Sequence, residues 1–120
     1  MPKTKETVLK KLRQTCLAWP ETHEVLTFGN PTFQAGKKTF AVLDEYRGER
    51  CICFKVKLPL QQLLLGDSRF FKSPYGASKG WTCMKISQPF KWSEVQELLL
   101  ESYRLVALKR MLTSLAATES

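Results

Sequence analysis

Apolar and polar residues alternate strictly along the segment RCICFKVKL, which covers positions 50–58. A period of two residues predicts a β-strand with one face against a core and the other face turned towards solvent. The predicted core face, which we expect helices to cover, carries Ile52, Phe54, Val56 and Leu58. The opposite face, which we expect to be half solvated, carries Cys51, Cys53, Lys55 and Lys57.

Helical periodicity marks both ends of the chain. Residues 4–18 predict an amphipathic helix with Thr4 as its N-cap and Pro20 just beyond its end. Residues 93–115 predict the longest helix, which Ser93 and Gln96 would open as a capping box. The apolar stripe of this second helix consists of Val95, Leu98, Leu99, Leu105, Val106, Leu112 and Leu115, with the small Ser102 allowing close approach to a sheet.

The segments between these helices predict short strands joined by tight turns. Turn residues occur at Gly29-Asn30-Pro31, at 35–38 and at Arg47-Gly48-Glu49, which indicates a meander of three or four antiparallel strands. Pro59 opens a short helix that Gly66 ends, and WTCMKI (81–86) predicts a further strand. The fold class is therefore α+β: a twisted antiparallel sheet packed against N- and C-terminal helices, with a short helix between strands, in one domain spanning 1–120.

The charge of the chain favours an anionic partner. Its 120 residues include 19 Lys and Arg against 11 Asp and Glu, a net charge of +8. Nucleic acid is the first candidate for such a balance, and simple solubility is the alternative. The sequence contains no apolar run of the roughly 20 residues that a membrane span requires. The N-terminal segment also lacks the features of a signal peptide, so we expect a cytoplasmic protein.

Catalytic and metal chemistry find little support in the sequence. Cys51 and Cys53 face the same way on a predicted strand, and Cys83 can join them from a neighbouring strand, so a thiolate metal site is conceivable. The four cysteines form no CxxC pair and are accompanied by a single histidine, so we expect no metal site, no cofactor and reduced, half-buried thiols. His23 follows a predicted helix as a turn residue, and neither a nucleophile–base pair nor a carboxylate pair stands out. The prediction is a protein that is not an enzyme.

The stretch SPYGASKGW (73–81) resembles a ligand loop in its glycine content. It lacks the spacing of a phosphate-binding P-loop and leads into a strand rather than a helix. We therefore interpret it as a structural return loop, in which Trp81 anchors the next strand and Lys79 lies at the rim of any binding site.

Basic residues at the predicted turns and on the solvated strand face are the candidate nucleic-acid contacts. They are Lys37, Lys38, Arg47, Arg50, Lys55, Lys57 and Lys79. Phe33, Tyr46, Tyr75 and Trp81 lie near them in the chain, and aromatic side chains among basic groups suit backbone contact and base stacking. The plainer interpretation places Phe33 and Trp81 in the core and leaves the lysines as solvated turn residues.

An ordered series of short segments resembles the MmcQ/YjbR family of small bacterial proteins. The matching segments are LRQTCLAWPETHE, TFGNPTFQAGKKTFAVL, CFKVKLPLQQLLL, SPYGASKGWTCMKI and ELLLESYRLVALKR, from about Leu12 to Arg110. The resemblance implies a frataxin-like or secretion-chaperone-like α+β fold. It also implies a DNA-binding role, through likeness to a double-wing DNA-binding domain, and supplies no catalytic residues.

Two functional hypotheses follow. The first is a DNA-binding protein that contacts phosphates through basic hairpins and a sheet face. The second is a non-enzymatic protein-interaction adaptor with no nucleic-acid role. Iron handling, which a frataxin-like fold suggests, is disfavoured because the first predicted helix, KTKETVLKKLRQ, is basic rather than acidic. The sequence leaves the oligomeric state open.

Overall fold

A six-stranded antiparallel sheet with helices packed on one face forms the body of the protein. The computed structural model describes residues 5–119, so the predicted cap Thr4 lies outside the described residues. The spatial order of the strands is β1-β2-β3-β4-β6-β5. The strands are β1 (Thr22–Thr27), β2 (Asn30–Ala35), β3 (Lys38–Tyr46), β4 (Glu49–Lys55), β5 (Phe70–Lys72) and β6 (Trp81–Lys85). The helices are α1 (Lys5–Cys16), α2 (Leu58–Leu64), α3 (Trp92–Val106) and α4 (Lys109–Glu119).

The predicted core face is the one that the helices cover. Ile52 and Phe54 of β4 are buried, and they pair in register with Leu43 and Ala41 of β3. Leu12 of α1 belongs to the same apolar cluster, as do Leu99 and Tyr103 of α3. The α+β class, the antiparallel sheet and the short helix between strands are therefore confirmed.

Contacts among three aromatic rings hold the loop between α1 and β1 against β3 and α3. The ring of Trp19 lies 5.4 Å from that of Tyr103 and 5.9 Å from that of Phe40, centroid to centroid. The hydroxyl of Tyr103 donates to the carbonyl of Pro20 at 2.8 Å. Tilted aromatic pairs at these distances add to the energy of burial itself. The arrangement holds the end of α1 and the start of β1 against α3.

The C-terminal helix differs from its prediction. Instead of one helix over 93–115, α3 ends at Val106 and α4 begins at Lys109, because Ala107 takes an extended conformation (φ −67°, ψ 146°). The break lets α4 turn back over the core, where Met111 and Leu115 are buried. Predicted periodicity across the break was accordingly wrong, since Leu105 is 36% exposed.

The start of α3 also differs from its prediction. The N-cap is Lys91, without a side-chain capping hydrogen bond, so the proposed capping box at Ser93 and Gln96 was wrong. Within residues 5–119, none of the helices is both long enough and apolar enough to cross a membrane.

Candidate binding groove on the second sheet face

A groove of about 710 Å³ lies on the face of the sheet opposite the helices. Val42 and Asp44 of β3 line it, and these residues alternate with the core residues Ala41 and Leu43. The remaining lining residues come from the β1–β2 hairpin, β3, β4 and the segment 73–81: Thr27, Phe28, Asn30, Thr39, Glu45, Tyr46, Cys53, Ser73, Pro74, Tyr75, Gly76, Lys79 and Trp81. This volume lies in the range of small-molecule sites. We call this feature the groove.

Phe28 stands at the mouth of the groove with its side chain fully exposed (100%). It occupies the first position of the β1–β2 turn, where Phe28 and Gly29 both have positive φ angles of 51° and 81°. A positive φ is uncommon for a bulky residue. The sequence placed this turn one residue later, at Gly29-Asn30-Pro31, and that prediction was wrong because Asn30 and Pro31 belong to β2.

The position of Asn30 accounts for the earlier turn. Its side-chain amide donates to Asp44 Oδ1 at 3.0 Å, and its carbonyl accepts from the Thr32 hydroxyl at 3.0 Å. Asp44 also accepts the backbone N–H of Glu45 at 2.7 Å. This end of the groove therefore offers an amide and a carboxylate that hold each other in place.

The segment 73–81 forms the opposite wall. A single 3₁₀ turn over Ala77–Lys79 is flanked by Gly76 and Gly80, both in the left-handed conformation. Tyr75 is 80% exposed, and Lys79 is exposed beside it. The predicted return loop is thus also a wall of the groove, and Lys79 is the one predicted contact residue that lines it.

Gln61 of α2 holds this wall in place. Its amide nitrogen donates to the carbonyl of Ala77 at 3.1 Å, to that of Trp81 at 3.2 Å and to the hydroxyl of Thr82 at 3.2 Å. The residue is only 2% exposed. Sequence reasoning missed Gln61, because a glutamine in a short amphipathic helix carries no signal of its long-range partners.

The predicted basic contacts do not form one surface. Lys37 and Lys38 lie at the β2–β3 turn, beside Gly36, which packs close to Met111 of α4. Arg47 and Arg50 lie at the opposite end of the sheet.

The arginines at that end are engaged with neighbouring side chains. The guanidinium of Arg47 lies 5.2 Å from the ring centroid of Tyr46, and Arg50 pairs with Glu45 at 3.7 Å. Arg50 has the same strand parity as Ile52, so it leaves the sheet on the helix-covered side, whereas Arg47 flanks the groove through Tyr46.

Lys55 and Lys57 take different positions. Lys55 is the register partner of Trp81 on the groove side, and its side chain is partly covered. Lys57 is exposed after the end of β4. The groove is thus flanked by Lys79 and Lys55 at one end and by Arg47 at the other.

Of the nearby aromatic residues, Phe33 is a core residue, and Trp81 has a double role. Phe33 is fully buried with the helices. Trp81 is partly exposed in the groove and packs against Cys53 and its neighbours. Gly76 allows this packing, since a Cβ built there would lie 2.7 Å from Trp81 Cδ1.

Three thiols form a second small core beneath the groove. Cys51, Cys53 and Cys83 are 0%, 5% and 0% exposed, so the prediction of a half-solvated face was wrong for these residues. Val42, Phe71 and Trp81 cover them. The fourth cysteine, Cys16, is buried in α1, and all four are free in this structure.

Interactions within the trio shift the pKa values of the three thiols in different directions. Interactions with the Cys51 and Cys53 thiols and with Ser73 lower the pKa of Cys83, against the opposing effect of burial. The pKa of Cys53 is raised by its hydrogen bonds to Cys51 and Cys83 and by burial. The pKa of Cys51 is raised as well, against the opposing effect of its contact with Cys53. Cys83 is therefore the most acidic thiol of the trio.

A family model matches this sequence, and a solved structure shares its architecture. The fold and groove define a small α+β protein with a candidate binding site on its sheet. A family model described as YjbR matches residues 17–105, and the chain belongs to this family. The crystal structure of Deinococcus radiodurans protein DR2400, with a DUF419 domain, is similar at a TM-score of 0.74 and 20% identity. The match covers 90% of this chain and 87% of that one, and it shows a shared fold. No curated protein matches the chain.

Proposed function

We propose that this YjbR-family chain is a non-enzymatic, cytoplasmic DNA-binding protein that holds unpaired DNA against the groove. The observation that carries the proposal is the full exposure of Phe28 at the groove mouth, together with Tyr75 on the opposite wall. Exposing two aromatic rings to water is unfavourable unless a ligand uses them. Aromatic side chains accompanied by flanking basic residues, here Lys79, Lys55 and Arg47, are a usual platform for unpaired bases.

The polar ends of the groove suit a nucleotide. The carboxylate of Asp44 and the amide of Asn30 lie 3.0 Å apart on one wall, where they can accept from and donate to the edge of a base. Lys79 lines the opposite end, where its ammonium can meet a phosphate. In this arrangement the base lies among the rings, and the phosphate lies away from Asp44.

Phosphate contact through all the predicted basic hairpins does not fit a single strand in the groove. Lys37 and Lys38 lie at the β2–β3 turn, and Arg50 leaves the sheet on the helix side. The proposal therefore assigns phosphate contact to Lys79, Lys55 and Arg47, which flank the groove. With these three contacts, the slope of log affinity against log salt should be near −2 for a single strand, at about −0.7 for each contact.

The experiment is fluorescence anisotropy with a labelled single-stranded oligonucleotide and its duplex form, at low and moderate salt. Phe28→Ala and Tyr75→Ala should each weaken single-strand binding by about fivefold or more, since base–aromatic stacking contributes about 1–3 kcal/mol. Leu63→Ala is the matched control, because Leu63 is a 77% exposed apolar residue on α2 outside the groove lining. Absence of wild-type binding at low salt would refute the proposal.

A protein-interaction adaptor is the second candidate, and one observation favours it. Leu26 is 71% exposed on β1, an edge strand of the sheet, and Phe28 follows directly after that strand. An edge strand with exposed apolar side chains can take a further strand from a partner peptide. Binding of that kind depends weakly on salt and strongly on Leu26. Loss of binding in Leu26→Ala with a salt slope near zero would favour the adaptor.

A further inference from the structure

The thiols of Cys51, Cys53 and Cys83 converge on one point of the sheet. Cys53 and Cys83 are register partners on β4 and β6, and Cys51 follows two residues away on the same face of β4. All three sulfur atoms lie within 4.8 Å of one another, and those of Cys51 and Cys53 are 3.8 Å apart. Three sulfurs from two adjacent strands thus form a compact triangle.

The distances between these sulfurs are close to those found around a single soft ion. Thiolate sulfurs bind such ions at about 2.3 Å, which places three sulfurs about 4 Å from each other around an ion in their plane and about 3.5 Å from each other around a pyramidal ion above it. The sulfurs, 3.8 Å apart for Cys51 and Cys53 and within 4.8 Å for all three, reach the pyramidal geometry by a contraction of about 1 Å. Soft thiolate ligands select soft ions over hard ones such as Mg²⁺ or Ca²⁺.

Charge and burial narrow the choice of ion. Val42, Phe71 and Trp81 cover the sulfurs, so an uncompensated charge there would be costly. Asp44, the register partner of Cys51, is a carboxylate on the same face of the sheet, and its negative charge further disfavours an anionic complex. Three thiolates leave a net charge of −2 with Cu⁺ and −1 with a divalent ion, but they are neutral with a trivalent ion.

We propose that Cys51, Cys53 and Cys83 form a three-sulfur binding site for a trivalent, thiophilic ion of the arsenic(III) class. Arsenous acid, As(OH)₃, is the neutral form that would reach the site. Three S–As bonds form and three As–OH bonds break, and the three thiol protons leave with the hydroxyls as three water molecules. The step changes no oxidation state and needs no further reactant.

The groove supplies the route to the sulfurs. Cys53 is both a member of the triangle and a lining residue of the groove, where it is 5% exposed. A small neutral solute in the groove therefore meets the sulfur of Cys53 first. Trp81 covers the triangle on the same side, so its fluorescence should report loading of the site.

Native mass spectrometry of the reduced full chain, titrated with arsenite, tests the proposal. We expect one arsenic per chain, with a mass gain equal to one arsenic less three hydrogens. Each of Cys51→Ala, Cys53→Ala and Cys83→Ala should weaken binding by about 100-fold or more, since a ligand held at several points gains about that much from each attachment. Cys16→Ala is the matched control, because Cys16 is an equally buried thiol in α1.

X-ray absorption of the loaded wild type tests the same point without relying on a variant that must fold. The expected first shell is three sulfurs and no oxygen. A shell of two sulfurs, absence of the adduct, or equal binding by Cys83→Ala and the wild type would overturn the site. Competition with Cd²⁺ tests the charge argument, since tighter binding of Cd²⁺ than of arsenite would overturn the trivalent assignment.

Discussion

The hydroxyl of Ser102 joins α3 to the end of β4 by accepting the backbone N–H of Lys55 at 2.8 Å. The same hydroxyl donates to the backbone carbonyl of Phe40 at 2.6 Å. Ser102 is completely buried. One side chain therefore satisfies polar groups of two neighbouring strands at a point where the helix approaches them closely, and buried backbone groups of this kind need a partner.

Ser102→Ala should lower the free energy of unfolding by about 2 kcal/mol, because it leaves both a buried N–H and a buried carbonyl without this partner. Urea denaturation followed by circular dichroism measures the change. Ser114→Ala on α4 is the control, since Ser114 is exposed and its loss should change stability by less than about 0.5 kcal/mol. Equal midpoints for the two variants would show that the hydroxyl of Ser102 contributes nothing.

Gly80→Ala should disrupt the wall formed by 73–81. Gly80 has a φ of 101°, and a Cβ built there would overlap the carbonyl oxygen of Val56, whose own N–H donates to the carbonyl of Gly80. The fitting control is Gly48→Ala, because Gly48 has a φ of 80° and nothing within 4 Å of a built Cβ. Gly48→Ala should lower the free energy of unfolding by only about 1–2 kcal/mol, because alanine must then adopt the left-handed conformation. Thermal unfolding distinguishes them, and a smaller loss in Gly80→Ala than in Gly48→Ala would contradict the expectation.

Trp81→Ala should destabilise the protein by about 3 kcal/mol, since the indole covers the buried thiols and fills the space above Gly76. Phe28→Ala should change stability by less than about 0.5 kcal/mol, because its ring is fully exposed. We therefore expect Trp81 to have a mainly structural role and Phe28 to have a role in binding a ligand. Denaturant titration of both variants measures this, and a stable Trp81→Ala would mean that the indole serves a ligand instead.

A depressed carboxylate pKa makes part of the stability depend on pH. Arg69 pairs with Asp67 at 2.7 Å and with Glu94 at 2.8 Å, and its hydrogen bonds lower the pKa of Asp67. The unfolded state then binds more protons than the native state as the pH falls. The contribution is present above the unfolded pKa of about 4 and is lost as the pH falls through the folded value.

Asp67→Asn should therefore lower the melting temperature at neutral pH and lose this effect under strongly acidic conditions. Scanning calorimetry of the wild type and the variant across that range provides the measurement. A difference in melting temperature that grows towards acid pH would have the wrong sign for a depressed pKa.

Local sequence patterns were sufficient to predict the structure where it depends on residues that are close in sequence. The alternation at 50–58 placed Ile52 and Phe54 on the core face, and Pro20 marked the chain beyond the first helix. Patterns failed where a distant contact decides the local conformation. The turn moved to Phe28-Gly29 because Asn30 bonds Asp44, fourteen residues away, and no local signal contains that bond.

The groove and the thiol trio could be predicted only in part, for the same reason. Cys83 meets Cys53 only through the pairing of β4 with β6, and α2 and the segment 73–81 intervene between them in the chain. The sequence allowed Cys83 to join Cys51 and Cys53 from a neighbouring strand, but the usual metal-ligand spacings are absent, and the sequence therefore disfavoured a metal site. The aromatic residues of the groove likewise come together from separate elements, and Lys79 is the one predicted basic contact that lines the groove.

The arrangement of charges yields a final prediction about DNA. Lys79 lines the groove, whereas Lys37 and Lys38 lie at the β2–β3 turn and are absent from the groove lining. If unpaired DNA lies along the groove, Lys79→Glu removes a phosphate contact and adds a repulsive charge. We expect this variant to weaken single-strand binding by about tenfold or more at low salt and to reduce the salt slope by roughly one contact.

The control is the double variant Lys37→Glu and Lys38→Glu, which changes the net charge by twice as much as Lys79→Glu does. Both lysines are exposed, so neither replacement should change stability by more than about 0.5 kcal/mol. A general attraction to the basic protein would make the double variant the weaker binder, while contact in the groove would make Lys79→Glu the weaker one. Anisotropy titrations at matched ionic strength decide the order, and a weaker double variant would transfer the DNA contact to the β2–β3 turn.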